Sequence, residues 1–383
     1  MTQLPLEEDP ASEAIGIGRG IEVSVRRPGD LTDLDLELWR SWQRADERLS
    51  SPFLSPEFAV VFGRHNSAAR VAVLQNAGET VGFLPFQRHG TKVGRSLAYD
   101  LSDVQALISP DDLEWDAPAM MTACGMAVFE FDHWVPHQSR QLRARHLKLA
   151  PAPVIDLTNG YEGWLAQAKH SQGRIKKVLQ KHRKLERELG KLSFEFDSHS
   201  HDDLEQLMRW KGEQYVRTGR GNRFANKWFC DFVTDLFDTR TDTFSLRLSR
   251  LDAGDETVAL YLSLQANNVL TGWFPTYNPS PEVAPYSPGM ASMVSLIRAA
   301  GDEGYSRLEL GEGEADYKES FKTHDDHVAE GWVERKVLAA VMRRAQKAPG
   351  RTAIRIILGN PRLRSTVRST LNHVGRARSA LGR

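Results

Sequence analysis

The order of elements between Val269 and Phe321 constrains the fold more than any other part of this 383-residue chain. Val269–Tyr277 is rich in β-branched and aromatic residues, which predicts a strand. A loop with several prolines follows, then an apolar helical pattern, a short strand from Leu308 to Gly311 and a short helix over Asp316–Phe321. This alternation of strands and helices predicts an α/β unit.

The helix in the middle of this segment has a start that favours an anion. Ser287 precedes Pro288, an order typical of a cap followed by the first helical residue. Four apolar residues then recur at helical spacing: Met290, Met293, Val294 and Ile297. Because the first backbone N–H groups of a helix have no acceptor inside it, they point toward whatever occupies the preceding loop. The sequence therefore predicts a binding site for a negatively charged group at this helix start.

The two halves of the chain repeat one order of elements. Each half is predicted to hold a strand, two helices and a hairpin, and both hairpins carry Glu-Thr-Val at the return, at 79–81 and 256–258. Similarity over so long a period indicates a duplicated α/β unit. The first half lacks a counterpart of the Ser287-Pro288-Gly289 helix start, so we expect it to shape the substrate side of the site without binding the anionic ligand.

The second half resembles the GNAT-type acyl-CoA acyltransferases. In that superfamily the signature Gln/Arg-x-x-Gly-x-Gly/Ala cradles the pyrophosphate of coenzyme A. Gly289 and Ala291 stand at its fourth and sixth positions, whereas Tyr286 replaces the first residue and Pro288 removes one N–H donor. The chain thus keeps the small residues of the signature and departs from it at two positions.

Within the superfamily, the chain resembles the CelD-like branch, which is associated with cellulose and exopolysaccharide synthesis. The resemblance rests on Trp273 and on the motifs at 286–289, 310–313 and 317–318. It implies an α/β fold of tandem acyl-CoA N-acyltransferase (GNAT-like) units, with mixed, mostly antiparallel sheets flanked by helices. It also implies acetyl-CoA or another acyl-CoA as co-substrate and no metal. Eight residues are implied to contact this co-substrate: Trp273, Tyr277, Tyr286, Ser287, Gly289, Met290, Ala291 and Lys318.

Transfer of an acyl group from a thioester to an amine requires a proton donor for the thiolate and a carboxylate that receives the amine proton. The short helix is similar to a Tyr-containing helix of the family, which implies Tyr317 as the proton donor. Glu312, Glu314 and Asp316 follow the preceding strand, and Glu312 is the first candidate for the carboxylate because it lies nearest the strand end. A backbone N–H at the end of the Val269–Tyr277 strand would stabilise the charged carbonyl oxygen. The simpler alternative is a solvated acidic loop and a packed tyrosine.

We therefore expect an acyltransferase that moves an acyl group, acetyl first, from acyl-CoA to an amine or a sugar hydroxyl. The resemblance implies a small-molecule or saccharide acceptor from cell-envelope or exopolysaccharide synthesis. Two rivals stay open. Tandem GNAT units also occur in Fem-type transferases, which use aminoacyl-tRNA as the donor, and the fold can also serve as a non-catalytic scaffold or regulator of polysaccharide synthesis.

Composition predicts four parts: a flexible leader at 1–20, a degenerate N-terminal GNAT-like unit at 21–150, the C-terminal acyltransferase unit at 151–335 and a basic tail at 336–383. The tail has 12 Lys or Arg and no Asp or Glu, although the whole chain has 50 of each sign. Such a tail suits an anionic membrane surface or an acidic partner, or it packs on the acidic body of its own chain. We expect no sequence-specific nucleic acid as a partner.

Two basic stretches lie in the second half. Tyr161 to Leu189 is predicted as one helix crowded with Lys and Arg, which either meets a phosphate-bearing ligand or forms an ordinary solvated face. Trp210 to Arg220 combines basic and aromatic residues and is a candidate wall of the acceptor pocket. Its Trp210 and Tyr215 are alternatively core residues.

Cys124 and Cys230 have no partner at metal-ligand spacing, so we predict buried, reduced thiols. His324 and His327 lack a third, distant ligand, and we predict no metal site. The acidic N-terminus does not resemble a secretory signal, and no apolar run is long enough to cross a bilayer. We expect a cytoplasmic protein, whose contact with the inner membrane face, if there is any, is peripheral.

Overall fold

The computed structural model describes residues 15–17, 20–168, 172–313 and 315–335. These residues group into two compact units. The first contains Leu54–Leu149 together with the described residues before Ser50 and residues 328–335, and the second contains Ser50–Phe53 and Ala150–His327. The predicted basic tail lies outside the described residues, and the predicted division of roles between the domains stays a prediction.

The first unit has a mostly antiparallel sheet flanked by helices. Its strands are β1 (Ile15–Ile17), β2 (Ile21–Arg26), β3 (Ala69–Asn76), β4 (Glu79–Arg88), β5 (Val93–Ser96) and β6 (Val128–Trp134). Its helices are α1 (Asp33–Ala45), α2 (Pro56–His65), α3 (Ala117–Ala123) and α4 (Ser139–Leu142). The strands pair in sequence order, β5 and β6 are parallel, and residues 329–334 of the last strand pair with β6. β1 lies within the predicted leader and pairs with β2.

The second unit has the same kind of sheet. Its strands are β7 (Arg145–Asp156, from residue 150), β8 (Leu192–Ser198), β9 (Phe244–Ala253), β10 (Glu256–Ala266), β11 (Val269–Tyr277), β12 (Arg307–Glu309) and β13 (His324–Glu334, to residue 327). Its helices are α5 (Gly160–Gln167), α6 (Gln172–Leu189), α7 (His201–Arg217), α8 (Lys227–Asp238), α9 (Pro288–Asp302) and α10 (Asp316–Phe321). The sheet order is β7-β12-β11-β10-β9-β8, with β11 and β12 parallel.

The two units repeat one arrangement. β2, α1, α2, β3, β4, β5, α3 and β6 of the first unit correspond in order to β8, α7, α8, β9, β10, β11, α9 and β12 of the second. Each unit also contains one parallel pair of strands, formed across a helical connection. The predicted fold class, with mostly antiparallel sheets flanked by helices, is confirmed.

Most predicted elements of the second unit are found, with two differences. The strand Val269–Tyr277 and the helix Asp316–Phe321 have the predicted bounds, whereas β12 ends at Glu309 and is shorter than predicted. The long basic helix from Tyr161 to Leu189 is two helices, α5 and α6. Each has its own buried residues, which fix it separately: Tyr161 and Trp164 in α5, and Ile175, Val178 and Leu185 in α6.

The core of the second unit holds α10 in place. Trp164 of α5 and Phe321 of α10 are both fully buried, and their rings lie 6.2 Å apart between centroids. The Trp164 Nε1 donates a hydrogen bond of 2.8 Å to the Phe321 carbonyl oxygen. Since a buried indole N–H needs an acceptor, this bond fixes the end of α10 against α5.

A β-bulge in β11 opens the sheet. Phe274 lies opposite Leu262 and Gly272 lies opposite Ser263 on β10, so Trp273 is the extra residue of the bulge. On the other edge of β11, pairing with β12 covers Val269–Thr271. Beyond that point the two parallel strands separate, and the end of β11 borders a gap in the sheet.

The bulge depends on a close approach at Gly272, where a Cβ atom would lie 2.4 Å from the Tyr261 hydroxyl oxygen. We expect Gly272→Ala to lower the free energy of unfolding by about 1–3 kcal/mol, because overpacking of a buried site strains its neighbours. Urea denaturation measures this. Gly173→Ala in α6, where a Cβ would meet no atom within 4 Å, is the matched control. The double variant with Tyr261→Phe should recover part of the loss, and an unchanged Gly272→Ala variant would contradict the close approach.

Candidate active site

The gap beside β11 contains a cavity of about 290 Å³. It lies between the end of β11 and the start of α9, and β10, α7, α10 and the loop before α9 contribute the remaining walls. The lining residues are Gln214, Tyr261, Pro275, Thr276, Tyr277, Ala284, Ser287, Pro288, Gly289, Met290, Met293 and Tyr317. Five of the residues predicted from sequence thus line one cavity: Tyr277, Ser287, Gly289, Met290 and Tyr317.

The start of α9 offers fewer N–H groups than the sequence suggests. Pro288 is the first helical residue and has no N–H. The N–H groups of Met290 and Ala291 both donate to the Ser287 carbonyl oxygen, at 2.9 and 3.2 Å. Among the described residues, the Gly289 N–H has no recorded acceptor. One backbone donor therefore remains at the helix start for an anion.

Ser287 does not cap α9 with its side chain, which corrects the sequence prediction. Its backbone is left-handed, with φ of 57°, and its hydroxyl makes no hydrogen bond to the helix start. The hydroxyl instead accepts a hydrogen bond of 2.8 Å from the Nζ of Lys181 in α6. The Ser287 hydroxyl thus binds a lysine of another helix and leaves the first amides of α9 without a side-chain cap.

The segment before Ser287 brings further charge from α6. The Tyr286 hydroxyl donates a hydrogen bond to the Glu188 carboxylate, and the Lys184 Nζ lies 5.5 Å from the centre of the Tyr286 ring. The hydrogen bond to Glu188 raises the pKa of Tyr286 and lowers that of Glu188. The Tyr286 hydroxyl is thus directed to α6. The predicted contact of Tyr286 with the co-substrate stays a prediction.

Two other predicted contact residues pack into the protein. The Trp273 ring lies among Phe53, Phe229, Phe232 and Phe274, with centroid distances from 4.5 to 6.4 Å. Ala291 is 1% exposed and belongs to a hydrophobic cluster with Leu185 and Val283. Ala291 could therefore contact a ligand only through its backbone, whereas the Trp273 side chain is half-buried.

The predicted catalytic residues lie on and before α10. Tyr317 is half-buried in the cavity wall, whereas the Glu312 and Asp316 side chains are exposed. Lys318 is buried and its ammonium donates to the carbonyl oxygens of Gly311 and Glu312, at 3.0 and 2.7 Å. Lys318 thus ties the loop after β12 to α10, and its predicted contact with a co-substrate stays a prediction. Glu314 lies outside the described residues.

A carboxylate that the sequence analysis missed lies where β11 and β12 separate. Glu309, the last residue of β12, is 9% exposed. Its Oε2 accepts hydrogen bonds from the hydroxyls of Ser51 at 2.8 Å and Thr271 at 2.6 Å, and Arg307 lies 3.4 Å from its Oε1. In the sequence, Glu309 is a single acid between two leucines of a short predicted strand. This pattern indicates a buried carboxylate, and a buried carboxylate needs hydrogen-bond or charge partners. Glu309 is a second candidate for the proton-accepting group.

Lys211 of α7 contacts the end of β11. It is 8% exposed, its Nζ donates a hydrogen bond of 2.6 Å to the Pro275 carbonyl oxygen, and the same atom lies 5.4 Å from the centre of the Tyr215 ring. Burial, with a smaller contribution from Arg220, lowers the pKa of Lys211 to about 8. No carboxylate in the described part of the chain forms an ion pair with it.

The two cysteines are free thiols. Cys124 is buried, Cys230 is half-buried, and neither forms a disulfide. Burial raises the pKa of the Cys124 thiol to about 12. Within ranges 20–168, 172–313 and 315–335, no cluster of three or more His, Cys, Asp or Glu side chains could hold a metal ion. None of the described helices is both long and apolar enough to cross a membrane.

The lowered pKa of Lys211 predicts a pH-dependent stability. At pH values between about 8 and its ordinary pKa of about 10.4, the unfolded chain binds more protons than the folded chain, so the free energy of unfolding rises with pH. The full rise is about 3 kcal/mol. Urea denaturation of the wild type and Lys211→Met across this window measures it. The rise should be missing in the variant, and parallel curves for the two proteins would contradict the burial of a charged Lys211.

The segment that contains the cavity is similar to a known protein family. Residues 172–319, which contain the cavity, match the family model described as Acetyltransferase (GNAT) domain. No curated protein matches the chain in sequence. Among solved structures, FemX has a TM-score of 0.53 at 9% identity, over 81% of this chain and 96% of FemX. A conserved protein of unknown function from Bacteroides thetaiotaomicron has a TM-score of 0.52 at 10% identity, over 79% and 98% of the two chains.

A tandem GNAT protein from the clavulanic acid biosynthesis pathway has a TM-score of 0.46 at 10% identity, over 82% of this chain and 98% of its own. At such identities, likeness to a solved structure concerns the fold alone. The family model adds the assignment of the segment that carries the cavity. The similarity to the GNAT acetyltransferase family therefore covers residues 172–319 of the chain.

Proposed function

We propose that the second unit transfers an acyl group from acyl-CoA to an amine. Acetyl is the acyl group we propose first, and a sugar hydroxyl is the second choice of acceptor. The observation that carries this proposal is the cavity beside β11, where Tyr277, Gly289, Met290 and Tyr317 meet inside the segment that matches the GNAT model. These residues come from a strand, a helix start and a second short helix. Their convergence supports one donor site.

The residues of the cavity suit the parts of an acyl-CoA. The side chains of Tyr277, Met290 and Met293 give apolar walls for the pantetheine arm. At the start of α9, the Gly289 N–H and the Lys181 ammonium supply one backbone donor and one positive charge for a phosphate. Because Gly289 has no side chain, the space between α9 and Tyr277 stays open.

The proposed reaction is a direct attack on the bound thioester. The nitrogen of a neutral amine forms a bond to the acyl carbon, the bond from that carbon to sulfur breaks, and the thiolate takes the Tyr317 hydroxyl proton. The amine proton passes to a carboxylate, for which Glu312 is the sequence candidate and Glu309 the candidate added by the structure. The acyl-CoA supplies the activated acyl group, and the protein residues supply binding, charge stabilisation and proton transfer.

The acceptor and its setting rest on the resemblance to the CelD-like branch. We propose a saccharide or small-molecule acceptor from cell-envelope or exopolysaccharide synthesis, met in the cytoplasm. The basic tail would bring the enzyme to an anionic membrane surface or an acidic partner. The rivals are a Fem-type transfer from aminoacyl-tRNA and a non-catalytic role at the polysaccharide synthase.

One calorimetric series separates the three functions. The full chain is titrated with acetyl-CoA, with a longer acyl-CoA and with charged tRNA. The proposal expects saturable binding of an acyl-CoA, together with thiol release when an amino sugar such as glucosamine is added. Binding of charged tRNA without binding of any acyl-CoA favours the Fem-type rival, and binding of none of these donors favours the scaffold.

A substitution at Gly289 tests the donor site without disturbing the fold. A Cβ atom at this position would lie 3.5 Å from the Tyr277 ring, which is an ordinary contact, and alanine favours a helix over glycine by up to about 1 kcal/mol. We expect Gly289→Ala to raise the Kd for acetyl-CoA by at least about tenfold without lowering the Tm. Calorimetry and thermal melts measure the two effects. Gly173→Ala is the helical control, and equal affinities would remove Gly289 from the donor site.

Tyr317 and Glu312 give a test of proton transfer. We expect Tyr317→Phe to lower kcat by about 100-fold or more and Glu312→Gln to lower it in the same direction, because each removes one proton-transfer group. The measurement is thiol release under saturating acetyl-CoA and glucosamine. Tyr161→Phe in α5 is the matched control, since that ring packs into the core and under Arg298. Wild-type rates in Tyr317→Phe and Glu312→Gln would exclude both residues from the mechanism, and Glu309→Gln would then be measured.

A further inference from the structure

Lys211 carries a positive charge that the surrounding protein leaves uncompensated. The residue is 8% exposed, and among the described residues its ammonium has one hydrogen-bond acceptor, the Pro275 carbonyl oxygen at 2.6 Å. An ammonium has three N–H donors, so two donors are not used by the described protein atoms. A buried charge without a carboxylate is costly, which makes such a residue a candidate for a role in binding or catalysis.

The position of this charge on β11 follows from the hydrogen-bond pattern. The Asn278 N–H donates to the Val258 carbonyl oxygen of β10, at 3.0 Å. Since backbone groups alternate between the two edges of a strand, Tyr277 and Pro275 direct theirs away from β10. The Lys211 bond to the Pro275 carbonyl agrees with this direction. The ammonium therefore lies on the edge of β11 that borders the gap in the sheet.

Pro275 also deletes a donor from that edge. A residue with an N–H at this position would offer it to a ligand in the gap, but proline has none. The Lys211 ammonium, which donates to the Pro275 carbonyl oxygen, is a hydrogen-bond donor beside this position. It differs from an amide in its full charge, which stabilises a negatively charged oxygen more strongly.

We propose that the Lys211 ammonium donates a hydrogen bond to the carbonyl oxygen of the bound acyl thioester and stabilises the negative charge on that oxygen during transfer. This assignment rests on the proposed function of the cavity. As the amine attacks, the carbonyl π electrons move to the oxygen, and they return when the bond from carbon to sulfur breaks. Lys211 keeps its proton throughout, so the proton balance of Tyr317 and the carboxylate is unchanged. Lys211 acts through its charge, as donors aimed at a developing oxyanion do.

Two other roles for a buried lysine give different results. If Lys211 bound an anionic group of the acceptor, its loss would raise the KM of the acceptor and leave kcat unchanged. If its neutral amine accepted the acyl group, an acyl-lysine would form at position 211 at the rate of turnover. Each of these outcomes would overturn the proposal.

The test compares the wild type with Lys211→Met and Lys211→Arg. Acetyl-CoA and glucosamine are the substrates, and thiol release is measured with each substrate varied in turn. We expect Lys211→Met to lower kcat by about 100-fold or more, with both KM values within about threefold of wild type. Lys211→Arg should recover at least a tenth of the wild-type kcat, because it keeps the charge and the N–H donors. Thermal melts check that all three proteins fold.

A second readout needs no acceptor. Infrared spectra of bound acetyl-CoA with a ¹³C-labelled carbonyl should show the stretch at lower frequency in the wild type and in Lys211→Arg than in Lys211→Met. An identical stretch in all three proteins, or a wild-type kcat in Lys211→Met, overturns the role of Lys211 while leaving the proposed function intact. A wild-type protein that binds no acyl-CoA overturns both.

Discussion

The separation of β11 from β12 is the constraint on which the candidate site depends. The bulge at Trp273 and the close approach of Gly272 to Tyr261 redirect β11 just after its pairing with β12 ends. The sheet thereby opens beside Pro275 and Tyr277, and α9 and α10 close the far side of the opening. The core bond from Trp164 to Phe321 keeps α10, and with it Tyr317, at that position. A continuous ladder of hydrogen bonds would leave no cavity there.

Positive charge in the site comes from lysine side chains that lie next to prolines, which have no backbone N–H. Pro288 removes an N–H from the start of α9, and the Lys181 ammonium lies beside it on the Ser287 hydroxyl. Pro275 removes an N–H from the edge of β11, and the Lys211 ammonium lies on its carbonyl oxygen. Fixed amide dipoles are thus replaced by full charges from α6 and α7. Such charges bind anions more strongly, and for Lys211 the cost is a buried ammonium.

The sequence predicts the elements of the site better than its contacts. The bounds of β11 and α10, the start of α9 at Pro288 and the repeated order of the two units follow from local pattern, turn residues and periodicity. The left-handed backbone of Ser287, the bond of Lys211 to Pro275 and the pairing of Glu309 with Ser51 depend on residues far apart in the chain. Spacing along a single sequence holds no record of such contacts, so the sequence analysis found neither Glu309 nor the bonds of Lys318 to the loop after β12.

The most direct test of the account is a crystal structure of the full chain with coenzyme A. We expect the diphosphate at the start of α9, within hydrogen-bond distance of the Gly289 N–H and near Lys181, and the sulfur between Tyr317 and the end of β11. A nucleotide bound elsewhere, or a cavity that stays closed by Tyr277 and Met290 at saturating coenzyme A, would contradict the account.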